Sequence, residues 1–459
     1  MTLSTLRGEI RGHILEPGDD GYEDARLVWN GMIDRRPLAV VRAASMADVA
    51  PTIRAARTLG VPLAVRGGGH NVAGNGTVDG GIVLDLGGLT AVRVDPDARE
   101  VRIEAGATLA DVDRATEPYG LAVPIWVVSG TGVAGLTLGG GVGWLIRAHG
   151  LSVDNLISVE LVTADGARVQ ASATEEPELF WGVRGGGGNF GVVTAFTFRA
   201  HPLGPDVFAG TFVYRADRWA DALRGWESWT RAGVPDALTS IATFLAPPPV
   251  FELGDEPVML LGWIWADPDR AAGERVVETL RQAAPPSDEL VQPVTWTAWQ
   301  SAADGLFPKG VRAYWKNTSF ETLDDATIDV IVRRAAEQTW AGTAFDIHHM
   351  EGAFGRVPED ATPFPDRNAR YWLNIYGFWS EAAGDAARIA FVRGFAAEME
   401  PHASGGRYVN FLGQEADRGD PVAAAEAVYG PDKLDRLVAL KRRFDPDNVF
   451  RLNHNIPPG

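Results

Sequence analysis

The sequence predicts an α+β protein made of two units of different character, and two observations carry that reading. Three glycine runs, Arg66-Gly-Gly-Gly-His-Asn71, Gly139-Gly-Gly-Val-Gly143 and Arg184-Gly-Gly-Gly-Gly-Asn-Phe-Gly191, all lie in the first 200 residues among short apolar stretches. From about residue 205 the glycine runs stop and tryptophan becomes frequent, on long strand-like segments that alternate with helix-like ones. The first pattern suits strands and helices joined by tight loops. The second suits an antiparallel sheet backed by helices.

The elements follow in order. Residues 1–35 read as an irregular arm with a turn at Pro17-Gly-Asp-Asp-Gly21. Leu38–Val41 is a short strand. Ser45 caps a helix over Met46–Leu59, with Asp48 at the reciprocal capping position and Gly60 as the stop. Val61–Val65 and Gly81–Leu86 are strands, and Glu100–Ala105 alternates as a half-buried strand does. A short helix over Asp111–Tyr119 ends at Gly120. Leu156–Thr163 and Ala167–Ser172 flank Ala164-Asp-Gly166, a hairpin signal. Phe190–Arg199 is a further strand, so residues 37–202 form one α+β unit holding all three glycine loops. Beyond it, Val258–Ala266 and Tyr371–Trp379 are strands, and Asp324–Gln338 and Ala382–Glu400 are helices. Tyr408–Phe411 alternates as a strand. Helices around Pro421–Tyr429 and Asp432–Arg443 precede a polar tail, Asn448–Ile456.

Composition narrows the function. A chain of 459 residues is too long for one ordinary core. The net charge of −18 argues against a nucleic-acid partner, which needs a basic face, and against docking on anionic lipid. There are no cysteines, which removes disulfides, thiolate metal sites, iron–sulfur clusters and cysteine nucleophiles. No window approaches the ~20 apolar residues of a membrane span, and the N-terminus lacks a signal-peptide core, so a cytoplasmic location is the simplest reading. His348-His349 invites a metal reading, but neighbours on a strand point to opposite faces, and no metal is expected. Nothing in the sequence sets an oligomeric state.

Three glycine loops suggest a long ligand with a diphosphate in its middle. Consecutive free N–H groups in such a loop form a concave nest for an anion, and glycine lets the backbone come close. The full ordered set adds Thr131-Gly-Val-Ala-Gly-Leu-Thr-Leu138, Gly150-Leu-Ser-Val-Asp-Asn155, Phe180-Trp-Gly-Val183 and the Asn448–Ile456 tail. Over nearly its whole length the chain resembles the berberine-bridge-enzyme-like FAD-linked oxidases, within the vanillyl-alcohol oxidase (PCMH-type) flavoproteins. The resemblance implies a PCMH-type FAD-binding domain split in sequence, residues 1–204 plus 405–459, around a substrate domain at 205–404.

It also implies site residues. His70 matches the histidine joined covalently to the flavin 8α-methyl, a role that suits a neutral imidazole nucleophile. Many relatives add a cysteine tether eleven residues before the glycine run; here that position is Val128, and a further histidine position is Leu136. The FAD is therefore expected to be held by His70 alone, with no cysteinyl link, and to be a milder oxidant than a doubly linked flavin. The pyrophosphate is expected on the amides of Arg66, Gly67, Gly68, Gly69, His70 and Asn71. Further cofactor contacts are expected from Gly74, Pro124, Gly130, Thr131, Gly132, Gly135, Leu136, Gly139, Gly141, Gly143, Gly191, Val193, Tyr408, Asn410 and Asn453.

Catalysis in this family needs a base while hydride passes to flavin N5. Tyr408 matches the first tyrosine of a Tyr-x-Asn-Tyr motif whose second is here Phe411; Asn410 is retained. A tyrosine base needs help against its ordinary pKa of ~10, and Tyr376 is the second candidate, with Tyr371 on the other face of the same strand. Thr131 occupies the position thought to gate oxygen, and its small side chain favours an oxidase. The lead expectation is an FAD-dependent oxidase that takes hydride from an alcohol group of a sugar or secondary metabolite and passes the electrons to oxygen. A flavin dehydrogenase with another acceptor, and a non-catalytic flavin or carbohydrate-binding protein, stay open.

Overall fold

The structure is a computed structural model that describes residues 2–125, 127–247, 253–338, 340, 344–413 and 420–459. Its first part carries eleven strands among the described residues: β1 (His13–Leu15), β2 (Ala39–Arg42), β3 (Leu63–Arg66), β4 (Ile82–Asp85), β5 (Val92–Asp95), β6 (Glu100–Glu104), β7 (Leu121–Ala122), β8 (Leu156–Val162), β9 (Arg168–Ser172), β10 (Val192–Arg199) and β11 (His201–Pro202). A four-stranded sheet runs in the order β1-β2-β4-β3, with β2 and β3 parallel to β4. A five-stranded antiparallel sheet runs β5-β6-β10-β8-β9. β7 and β11 pair separately.

The second part is one antiparallel sheet: β12 (Asp206–Tyr214), β13 (Leu238–Leu245), β14 (Val258–Trp265), β15 (Asp288–Leu290), β16 (Val294–Thr295), β17 (Arg312–Phe320), β18 (Ala344–His349) and β19 (Tyr371–Trp379). Its order is β15-β12-β14-β13-β18-β19-β17, with β16 on β12. Period-two alternation sorts its two faces. Tyr371, Leu373 and Ile375 of β19 pack in one core with Trp219 and Trp226 of helix Trp219–Arg231, Ile328 of helix Asp325–Ala336 and Phe395 of helix Asp385–Met399. Trp372, Tyr376 and Phe378 join the other core, which holds Tyr408, Phe411 and the apolar residues of the first part. The α+β class expected from the sequence is the class observed.

Three local expectations need correction. The N-terminal arm is not irregular: it holds a helix, Leu3–Glu9, and β1 pairs with β2. The cap at Ser45 is carried by Asp48 alone. Its fully buried carboxylate accepts the amides of Ala44 and Ser45 and also those of Arg11 and Gly12, tying the arm to the helix Val49–Leu59. The Ser45 hydroxyl makes no bond among the described residues. Finally, Tyr408–Phe411 is not a strand. Tyr408 is extended, and Val409–Phe411 is a turn of 3-10 helix. Alternation over four residues cannot separate these, and Asn410 is held by a helix terminus rather than by a neighbouring strand.

Candidate active site

β3 and β4 lie parallel and in register, so Arg66 and Asp85 sit side by side at their ends. The Arg66 side chain turns away from the loop it precedes. It pairs with Asp85 at 2.8 Å and donates to the Ala25 carbonyl at 2.6 Å. The Arg66 carbonyl accepts the Leu86 amide at 2.8 Å, so neither group is left for a ligand. After it, none of the main-chain amides of Gly67, Gly68, Gly69, His70 and Asn71 donates to a backbone carbonyl among the described turns and loops. That run of unused donors is the nest chemistry an anion needs.

The loop passes so close to Gly132 that a Cβ on Gly68 would lie 2.6 Å from the Gly132 Cα. Gly139, at the end of helix Val133–Gly139, is met in the same way by Asn410: a Cβ there would lie 2.4 Å from the Asn410 Oδ1. At Gly68 the neighbour is backbone, so only glycine fits, whereas at Gly139 the Asn410 amide would have to swing aside.

A cavity follows these backbones. Of the residues singled out from the sequence, Arg66 to Asn71, Thr131, Gly132, Gly135, Leu136, Gly139, Gly191, Val193, Tyr408, Asn410 and Asn453 line it. Gly74, Pro124, Gly141 and Gly143 do not. Gly74 packs on Ile33, the Pro124 carbonyl accepts the Ser152 hydroxyl at 2.7 Å, and Gly141 abuts Ser152. Gly130 and Val128 open instead onto a second chamber on the other side of the His70 loop, with Trp29, Asp304 and Lys309. Sequence reasoning missed Asn75, Gly187, Gly188, Asn189, Trp315, Tyr429, Phe450 and Leu452, all of which line the first cavity. For Asn189 and Phe450 the motifs around them were a usable signal. For Trp315 no facing is legible in the sequence, because that depends on the register of β17 against β19.

His70 lines both cavities. Burial pushes its pKa down to about 4, so the ring is neutral at physiological pH. Its imidazole stacks on the Trp29 indole, with centroids 4.6 Å apart. Tyr408 lies further along the first cavity. Its phenol oxygen accepts the Gly141 amide at 3.1 Å and the Asn410 side-chain amide at 2.8 Å. Asn410 also donates to the Leu136 carbonyl at 3.0 Å. These donors favour the phenolate, but burial outweighs them and pushes the pKa up to about 12. Both partners are donors, so the phenol's own proton is free to point elsewhere.

Tyr376 does not touch the cavity. It stands one layer back, its ring 5.1 Å from that of Trp315 and 5.7 Å from that of Phe411. Burial, then the nearby Asp346 carboxylate, raise its pKa well above the ordinary value. Tyr371 points to the helices, where it bonds Glu227 and Thr230. The two adjacent histidines diverge as alternation requires: His348 meets Asp346 at 3.0 Å, and His349 meets Glu351 at 2.8 Å. Asp346, Asn374 and Asn317 are register partners across β18, β19 and β17 and form a buried polar row, with Asn374 donating to Asp346 at 2.8 Å.

The cavity's chemistry fits a flavin dinucleotide. It offers unused backbone amides, a glycine crossing that a Cβ would fill, and a buried Thr131 hydroxyl with no partner among the described residues. Comparison with known proteins points the same way. A family described as FAD binding domain matches residues 37–172, and one described as Berberine and berberine like matches residues 407–457. The (R)-6-hydroxynicotine oxidase of Paenarthrobacter nicotinovorans is 31% identical over 470 residues, which cover 98% of this chain and 97% of that protein. The chain belongs to the berberine-like FAD-linked oxidoreductases.

Other members and solved structures agree. The FAD-linked oxidoreductase fogF of Aspergillus ruber is 30% identical over 95% of this chain and 89% of its own. The 6-hydroxy-D-nicotine oxidase of Arthrobacter nicotinovorans superposes with a TM-score of 0.86 at 27% identity, with 98% of each chain covered. The moss Physcomitrella patens BBE-like 1 shares the fold, with a TM-score of 0.88 at 24% identity over the full length of both chains. This berberine-like protein is thus an FAD-dependent oxidoreductase of PCMH-type fold. Among its described residues no helix is long and apolar enough to cross a membrane.

Proposed function

We propose that this enzyme is an oxidase that holds FAD through a single covalent link at His70, oxidises a small-molecule alcohol and returns the electrons to oxygen. The observation that carries the reading is the placing of a neutral His70 and a hydrogen-bonded Tyr408 on one cavity with the glycine loops. Residues 1–204 with 405–459 form the cofactor unit in this reading, and 205–404 the substrate unit. Bound FAD supplies the hydride acceptor. The amides of 67–71 hold the diphosphate. Tyr408 orients the substrate hydroxyl and takes its proton, with the Gly141 and Asn410 donors stabilising the charge that develops on the phenol oxygen. Trp315 and Phe411 exclude water beside it, and the small Thr131 leaves room for oxygen.

A sugar or secondary-metabolite alcohol is the favoured substrate. The 31% identity to a hydroxynicotine oxidase favours a heterocyclic amine as the second reading. The protein should be yellow, and acid precipitation should leave flavin in the pellet. His70→Ala should release it to the supernatant. Quantitative release from the wild type would overturn the single link. A panel of sugars, alcohols and 6-hydroxynicotine, read anaerobically as flavin bleaching and in air as peroxide release, tests substrate and acceptor. Bleaching without fast reoxidation in air would make it a dehydrogenase.

A further inference from the structure

The two cavities share the His70 loop as a common wall, from Arg66 to His70. The three glycines before it give its backbone little directional stiffness. What fixes the ring is Trp29. The two ring planes lie 19° apart, and Trp29 is itself held, through backbone and indole, by three separate segments. Its backbone amide donates to the Gly69 carbonyl at 2.9 Å, and its carbonyl accepts the Gly310 amide at 2.8 Å. Its indole N–H donates to the Phe307 carbonyl at 3.1 Å, and Trp315 of β17 lies 5.3 Å from it. The neighbouring Asn30 side chain ties the same stretch to the Val72 carbonyl at 2.7 Å and to the Ala313 carbonyl at 2.8 Å. The arm thus sets a braced aromatic wall against one face of the His70 ring.

We propose that Trp29 is a positioning residue for covalent attachment of the flavin at His70: the indole holds the imidazole plane in one orientation, so that its ring nitrogen enters the cavity along one line. The inference rests on the reading that His70 carries the flavin. In that attachment the His70 ring nitrogen bonds the 8α carbon, while one methyl C–H bond and the imidazole N–H bond break. The two protons and two electrons stay on the isoalloxazine until dioxygen takes them as hydrogen peroxide. Misorientation of a reacting group is costly in rate, whereas the amides that bind the diphosphate do not depend on the indole. Burial of His70 supports the scheme, because a neutral ring retains the nucleophilic lone pair.

The test uses the full chain produced in riboflavin-starved cells and then given FAD. Attachment is followed by intact mass and by flavin fluorescence of the acid-precipitated pellet, and FAD affinity by fluorescence quenching. Trp29→Leu keeps apolar bulk without a ring, and Trp29→Phe keeps a smaller ring. Attachment should slow about threefold in Trp29→Phe and at least about tenfold in Trp29→Leu, with FAD affinity within about twofold of wild type. Attachment at the wild-type rate in Trp29→Leu overturns the proposal, as does a loss of affinity that accounts for the slowing. If Trp29→Leu does not fold, Trp29→Phe decides, and a wild-type rate there overturns it. Absence of attachment in the wild type would instead bring down the His70 reading itself.

Discussion

Tyr408 is the residue on which the proposed chemistry turns, and its surroundings make a definite prediction. Its phenol accepts two hydrogen bonds yet is pushed up to about 12 by burial, so at neutral pH it rests protonated. Tyr408→Phe removes the hydroxyl and leaves the ring packed on Phe364 and Phe411. Flavin content should be unchanged. Anaerobic bleaching by the substrate should slow by about 10²–10⁴-fold, the usual worth of a positioned acid–base group. Bleaching within a few-fold of wild type would remove Tyr408 from the chemistry. At this scale the sequence was legible wherever a residue sat inside an ordered motif, as His70 and Tyr408 do. It was mute for Trp29, which stands in an arm without periodicity and earns its place by stacking on a residue forty-one positions away. Tyr376 is the reverse case: the alternation of β19 correctly separates it from Tyr371, but only the packing shows Trp315 and Phe411 standing between it and the cavity.

Elements place the site through close crossings and one buried clamp. Gly68→Ala forces a Cβ to 2.6 Å from the Gly132 Cα, so the His70 loop must move. Overpacking of this kind costs about 1–3 kcal/mol, which corresponds to FAD binding weaker by about fivefold to about 150-fold if the strain falls on the nest. The ratio of flavin to protein absorbance in purified Gly68→Ala checks this; full flavin content would show that the loop yields without cost. The clamp lies in helix Pro431–Phe444. There the fully buried Lys441 ammonium donates to Asp445 at 2.7 Å and to the Asn189 and Phe450 carbonyls at 2.9 Å, fastening the C-terminal tail to the third glycine loop. Lys441→Met leaves the buried Asp445 carboxylate without a countercharge, held only by the Val449 and Phe450 amides at 2.8 Å, and should cost about 3–5 kcal/mol in denaturant unfolding. Lys441→Met with Asp445→Leu should recover part of that, and equal losses in the two variants would mean that the carbonyl bonds matter more than the charge. The helices around this clamp were readable from the sequence, since Pro421–Tyr429 matches its expected limits and Pro431–Phe444 differs by a residue at each end. The 3-10 turn at Val409–Phe411 was not. What bends it is a side-chain bond from Asn410 to the carbonyl of Leu136, a residue far off in the chain.

For the molecule as a whole, the sequence made visible the change of character near residue 205, because glycine loops and tryptophan strands are local compositional facts. It did not show how the parts are stitched, since those ties are long-range side-chain bonds such as Trp296 to Asp113, at 3.0 Å. That tie enters a whole-molecule prediction about pH. Burial holds Asp113 up at about 7, and burial holds His349, packed against Arg147 and Glu351, down at about 4. Their contributions oppose each other. Between about pH 6.5 and 4 the unfolded chain protonates His349 and the native one does not, so stability is lost on acidification. Between about pH 7 and 4 the native protein protonates Asp113 and the unfolded chain does not, so stability is gained on acidification and lost as pH rises toward 7. In the wild type the two slopes, each about 1.4 kcal/mol per pH unit at most, nearly cancel over the shared window. Asp113→Asn keeps an oxygen for the Trp296 indole and removes the opposing slope, so its stability should fall faster than wild type on acidification. His349→Gln should do the reverse. Denaturant unfolding of the three proteins from pH 4 to 7 measures the differences, which cancel the titrations common to all. Parallel curves would show that neither group titrates where its burial places it, and that water reaches one or both.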